Sequence, residues 1–151
     1  MSVRPTEWRR DGYLISTDRS RLDRDAIWTF LRTAYWSPGI VRDKVEQAIE
    51  NSLAFGLFAP DGAQAGFARV VTDRTSFAWL ADVFVLEPHR GRGLGVWLVA
   101  TAVTHPDVAE IRIVLGTRDA HGLYERFGFE PVTPGRMMER TAPRGEAATP
   151  A

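Results

Sequence analysis

The sequence predicts a mixed α/β fold in a single domain: one central sheet, antiparallel in its first half and parallel at its centre, with helices on both faces. Three observations carry this. Val83–Leu86 is an apolar run of β-branched and aromatic residues, and it leads through Arg90-Gly91-Arg92-Gly93-Leu94-Gly95 into a helix beginning near Leu94. A further apolar run, Ile111–Leu115, follows that helix, so strand, helix and strand over 81–115 imply a right-handed βαβ unit with parallel strands. Upstream, Leu53–Phe58 and Gln64–Thr72 flank Pro60-Asp61-Gly62 and read as an antiparallel hairpin.

In chain order, residues 1–11 are polar and are expected to be loosely ordered. Tyr13–Thr17 reads as the first strand. Ser20-Arg21-Leu22-Asp23 has the spacing of a capping box. Behind it Ile27, Phe30, Leu31 and Ala34 share one face of an amphipathic helix, which Pro38 and Gly39 interrupt. Val41, Val45, Ala48 and Ile49 mark a second helix. After the hairpin, Asp73–Ser76 turns the chain into the central strand, Phe77–Leu86, apolar on both faces and therefore expected to be covered on both. The helix Leu94–Thr104 carries a second apolar line, Val96, Val99 and Val103, which suits either deep burial or a homodimer contact. His105-Pro106-Asp107 ends it. Residues 120–127 form a short helix, and Phe129–Val132 and Arg136–Arg140 read as closing strands. Thr141–Ala151 is a small, polar tail expected to be disordered, leaving a core of about 11–140.

Composition narrows the function. The chain has 151 residues, enough for one core, with 44% hydrophobic and 25% charged residues, the balance of a globular protein. Nineteen basic and nineteen acidic residues cancel, which argues against nucleic acid or an anionic membrane as partner. No run approaches a membrane span and the N-terminus lacks a secretory stretch, so the expected location is cytoplasmic. Without cysteine there is no disulfide, no thiolate metal site and no cysteine acyl-enzyme. His89, His105 and His121 lack ligand spacing, so no metal is expected.

The glycine-spaced loop carries the most chemistry. A strand, a glycine loop and a helix start present free backbone N–H groups to a phosphate, and the same spacing also serves a tight turn with solvated arginines. It lacks the lysine of a P-loop, and its glycines are two apart throughout, unlike a dinucleotide fingerprint. Arg90, Gly93 and Gly95 do fill the pattern Gln/Arg-x-x-Gly-x-Gly/Ala. Ala120-His121-Gly122-Leu123-Tyr124-Glu125-Arg126-Phe127-Gly128-Phe129 fits a second pattern, Ala-x-x-Leu-Tyr-x-x-x-Gly-Phe.

These two signatures, in this order, resemble the Gcn5-related N-acetyltransferases over roughly Tyr13–Arg140. The resemblance implies the fold of that family and acetyl-CoA as acyl donor. It implies that main-chain groups of Val83, Phe84 and Val85 pair with the pantetheine arm, and that the amides of Gly91, Arg92, Gly93, Leu94, Gly95 and Val96 hold the pyrophosphate. Proline comes one residue later than is usual, at Pro88, and Thr117 stands where many relatives have asparagine. Tyr124 is then a general acid for the departing thiolate; by itself it reads as a half-buried aromatic. Asp82, between apolar neighbours on the face of Leu80 and Phe84, either pairs with an arginine or loop, or holds or deprotonates the acceptor amine. The run Ala81–Val85 resembles the corresponding strand of polyamine acetyltransferases, which has an acidic residue there. Tyr35 and Trp36 either shape the acceptor pocket or plug the core. The implied reaction is direct transfer of acetyl to a small-molecule primary amine. A non-catalytic acyl-CoA-binding module and a transferase acting on a protein or peptide amine are the alternatives.

Overall fold

The computed structural model describes residues 4–143. Six strands form one sheet in chain order: β1 (Glu7–Arg10), β2 (Tyr13–Ser16), β3 (Leu53–Phe58), β4 (Gln64–Thr72), β5 (Phe77–Val85) and β6 (Arg112–Val114). Every neighbouring pair is antiparallel except β5 with β6, which run parallel around α3 (Leu94–Thr104). Two cores result. On one face Leu94, Leu98 and Val99 of α3 pack on Ile15, Phe55 and Leu57. On the other, Ile27 and Leu31 of α1 (Arg24–Leu31) and Val45 and Ile49 of α2 (Arg42–Glu50) pack on Leu14, Phe58, Phe67 and Phe84. β3 is buried along its whole length because it has cover on both sides. Among the described residues no helix is long and apolar enough to cross a membrane.

Several expectations are corrected. Glu7–Arg10, expected to be loose, is an edge strand joined to β2 through Asp11-Gly12, both with positive φ (50° and 82°), an Asp-Gly hairpin turn. The helix start at Ser20 moves. Asp18 caps a short 3-10 turn at Arg19–Arg21, and Asp23 accepts from Ala26 N to cap α1. α1 ends at Leu31, although Ala34 beyond it is still buried. The strands expected over 129–132 and 136–140 do not form. Pro131, Pro134 and Gly135 interrupt that stretch, and a turn joins Arg136 N to Thr133 O, so β6 closes the sheet. α4 (His121–Glu125) stands where a short helix was expected. In α3, Val99 is fully buried within the chain, and Val96 and Val103 are partly so. The expected tail lies, from residue 144 on, outside the described residues.

The departure that shapes the site is a β-bulge. Phe67 pairs with Phe84 and Arg69 with Ala81, so β5 spends one more residue than β4 between these pairs. Asp82 takes up the extra residue with φ 54°, a left-handed conformation that aspartate tolerates better than most residues. Leu80 therefore belongs to the α3 core and Phe84 to the opposite one, so these two residues and Asp82 do not share a face.

Candidate active site

The glycine loop is held from behind. Tyr13 Oη and His89 Nδ1 are 2.9 Å apart, tying the turn Glu87–His89 to β2. Arg90 Nε donates to Val85 O at 2.8 Å, so its side chain closes the loop on the strand. Gly93 sits at φ 74° as the N-cap of α3, and no side chain caps that helix. The first-turn amides are thus left for a ligand, with the positive end of the helix dipole behind them. A Cβ on Gly95 would meet only Val85 Cγ2, at 3.8 Å; packing does not demand glycine there, which leaves room against the backbone for another molecule. A cavity of about 400 Å³ lies here, lined by Val83, Phe84, Val85, Gly91, Gly93 and Gly95 among others. Arg92 and Val96 are not on its wall.

The end of β5 is open on one side. β6 pairs with β5 only over Phe77–Trp79, so from Leu80 onward that edge has no neighbouring strand. Leu86 N donates to Ala65 O at 2.7 Å, on the β4 side. Strand alternation then aims the Val85 amide into the gap. A fork between parallel strands, with unpaired main chain on one arm, suits an extended amide-bearing ligand lying alongside like a strand. The residues fit the pantetheine and pyrophosphate of acetyl-CoA: open amides, a helix start, and no carboxylate in the loop itself.

A second cavity, of about 640 Å³, lies against the bulge. Its lining is mostly apolar, with Leu31, Ile40, Val45, Ile49, Phe67 and Trp79, and Asp82 is set into that wall. Asp82 Oδ1 accepts from Trp36 Nε1 at 2.8 Å and Oδ2 from Arg69 Nε at 2.6 Å. The Arg69 and Asp82 side chains are 20% and 12% exposed, so the pair is largely withdrawn from water. Arg69 Nη1 also reaches Ser52 Oγ at 3.2 Å. The arginine pairing foreseen as one alternative for Asp82 is present, and the same carboxylate lines the cavity. Trp36 does more than plug the core: with Tyr35 it lines both cavities and separates them. The Arg118 guanidinium stacks 3.9 Å from the Tyr35 ring centre, and Arg118 N donates to Tyr35 Oη at 3.2 Å.

Tyr124, on α4, lines the second cavity and is not on the wall of the first. Burial first, then the nearby Tyr35 and Asp119, raise its phenol above the ordinary value, so it carries its proton throughout the neutral range. Thr117, in the place of the family's asparagine, uses its hydroxyl to accept from Ala120 N at 3.0 Å, shaping the approach to α4. Sequence reasoning missed Arg69, whose partner is thirteen residues away on the next strand, and Asp119, which lines both cavities. Among the described residues no group of three or more His, Asp or Glu is arranged to hold a metal ion.

Comparison with known proteins bears on the family and the fold. The sequence profile of the acetyltransferase (GNAT) domain matches residues 53–131, just over half the chain. A candidate acetyltransferase of Gibberella zeae is 30% identical over 116 residues, 64% of this chain and 66% of that relative, so the chain spans just under two thirds of it. A crystal structure of a candidate GNAT acetyltransferase from Xanthomonas campestris pv. campestris superposes with a TM-score of 0.83 at 46% identity, covering 87% of this chain and 94% of that one. A candidate acetyltransferase from Deinococcus radiodurans R1, 19% identical with a TM-score of 0.69 over 89% of this chain and 93% of that one, shares the fold. With both signatures on the walls of adjoining cavities and the profile laid over the sheet that builds them, the chain belongs to the GNAT acetyltransferase family.

Proposed function

We propose that the protein transfers the acetyl group of acetyl-CoA directly to a primary amine of a small molecule. The observation that carries this is the meeting of two cavities at Tyr35, Trp36 and Val83, one beneath the glycine loop and one against Asp82 and Tyr124. The first suits the donor and the second the acceptor. Acetyl-CoA supplies an activated thioester; the chain supplies position and proton donors. The α3 amides and the loop hold the pyrophosphate, and the main chain of Val83–Val85 runs along the pantetheine. The Val85 amide polarises the thioester carbonyl and stabilises the charge that develops on its oxygen. Tyr124 protonates the departing sulfur; its raised pKa keeps the proton in place until the thiolate forms, at the cost of a weaker acid than a free phenol. A concave apolar acceptor cavity of this size favours a small molecule over a protein surface.

The deciding measurement is release of free thiol from acetyl-CoA with a panel of primary amines, including a lysine-bearing peptide. Amine-dependent release, faster with small amines, is expected. Tight acetyl-CoA binding with no amine-dependent release would leave a non-catalytic acyl-CoA-binding module; preference for the peptide would move the acceptor to proteins.

Asp82 lines the acceptor wall, balances the Arg69 charge there and fixes the Trp36 ring. Asp82→Asn presents an NH₂ group toward one of two donors and leaves Arg69 without its counter-charge. The expected results are a loss of about 1–3 kcal/mol of stability in thermal melts and a several-fold rise in KM for amine, with acetyl-CoA affinity unchanged. Destabilisation with unaltered KM would confine Asp82 to a structural role.

A further inference from the structure

Both oxygens of Asp82 are engaged, by Trp36 and by Arg69. Another carboxylate stands where donor and acceptor would meet. Asp119 is exposed and lines both cavities, and among the described residues it has neither a hydrogen bond nor an ion pair. Its place is set from both sides. Arg118 N is anchored to Tyr35 Oη, and Ala120 N to Thr117 Oγ1. A side chain at this junction touches the space in which the amine nitrogen must approach the thioester carbon.

We propose that Asp119 is the base that takes the proton from the acceptor amine. The proposal rests on the acetyl-transfer reading. A primary amine arrives as an ammonium; Asp119 accepts one proton and passes it to water. The freed nitrogen pair attacks the carbonyl carbon, forming the C–N bond. As the tetrahedral species collapses, the C–S bond breaks, the sulfur takes the Tyr124 proton, and the second nitrogen proton goes to Asp119, from which it returns through water to Tyr124. The products are the amide, CoA thiol and one proton. The charged and titratable groups that share a cavity with Asp119 are Arg118 beside it, Tyr35 from the segment after α1, Tyr124 on α4, Arg69 on β4 and Asp82 on β5 in the acceptor cavity, and His89 and Arg90 across the donor cavity. Asp119 and Tyr124 line the same acceptor cavity, and after burial and Tyr35 the negative charge of Asp119 adds to the rise in the Tyr124 pKa.

The test compares wild type with Asp119→Asn, using 2-phenylethylamine and 1,4-diaminobutane as acceptors. At pH 7, kcat/KM for amine is expected to fall about 30-fold, below the usual range for a positioned base because water can take part of the load. Acetyl-CoA affinity by calorimetry stays unchanged. The deficit shrinks as pH rises toward the amine's own pKa near ~10, where free amine needs no base. Independently of turnover, ultraviolet titration should show the Tyr124 phenol of the variant ionising at lower pH, with Tyr124→Phe identifying its signal. A kcat/KM within threefold of wild type at pH 7, or a deficit constant up to pH 10, overturns the assignment and leaves acetyl transfer intact. If wild type itself releases no thiol with either amine, acetyl transfer fails and this role fails with it.

Discussion

Gly95→Asp is expected to abolish acetyl-CoA binding in a protein that melts no earlier than wild type. Gly95 lies in the first turn of α3, with open space beyond Val85 at its Cβ position. A carboxylate there complements the helix dipole, worth about 0.3–1 kcal/mol, and replacing a helical glycine removes a backbone-entropy penalty of about 0.5–1 kcal/mol. The folded state should gain. The pyrophosphate would then face a negative charge at roughly 4 Å, a repulsion of about 4 kcal/mol at an effective dielectric constant near 20, or about 10³-fold in affinity. Gly93 is a poorer probe, because its left-handed φ of 74° would strain any side chain and confuse folding with binding. Calorimetry and a melting curve on the same sample decide it; normal affinity in the folded variant would move the pyrophosphate elsewhere.

Tyr124→Phe should lower kcat about 10²-fold with acetyl-CoA affinity almost unchanged. A positioned proton donor contributes roughly 10²–10⁴-fold, and the low end applies because a thiolate is already a fair leaving group. The ring keeps its place, since Tyr124 meets Phe129 edge-on with ring centres 5.8 Å apart and that contact does not use the hydroxyl. Because the phenol's pKa is raised, its loss of function by ionisation should appear only above about pH 10, and the alkaline limb should vanish in the variant. A kcat within twofold of wild type, where chemistry limits the rate, would assign the proton to water or another donor.

What could be read from the sequence was local. α3 is bounded as its apolar pattern and glycine start require, and the hairpin of β3 and β4 follows from two apolar runs around Pro-Asp-Gly. β1 escaped notice because Glu-Trp-Arg-Arg at a sheet edge has only Trp8 to pack inward, so its period-2 signal has one member. The Asp11-Gly12 turn was the available clue. The site was legible where a motif spans a few residues, as in the glycine loop and around Tyr124. It was not legible where chemistry comes from contacts across strands. Arg69 meets Asp82 only because β4 and β5 pair in one register, and Asp119 reaches the donor side only because the chain before α4 is tied to Tyr35.

The bulge at Asp82 means that the sheet carries one residue it does not need. Ala78 and Leu80 before it, and Val83 and Val85 after it, all face the α3 side, while Phe84 faces the other. Remove Asp82 from the count and β5 alternates without interruption and pairs residue for residue with β4. A chain shortened by that residue would keep every core side chain on its present side. It would lose the carboxylate that reaches Arg69 and Trp36, and with it the anchor of the wall between the two cavities. The left-handed residue is therefore an insertion maintained for the site at the expense of a regular strand, and tolerance of length changes in β5 separates what the architecture requires from what the chemistry does.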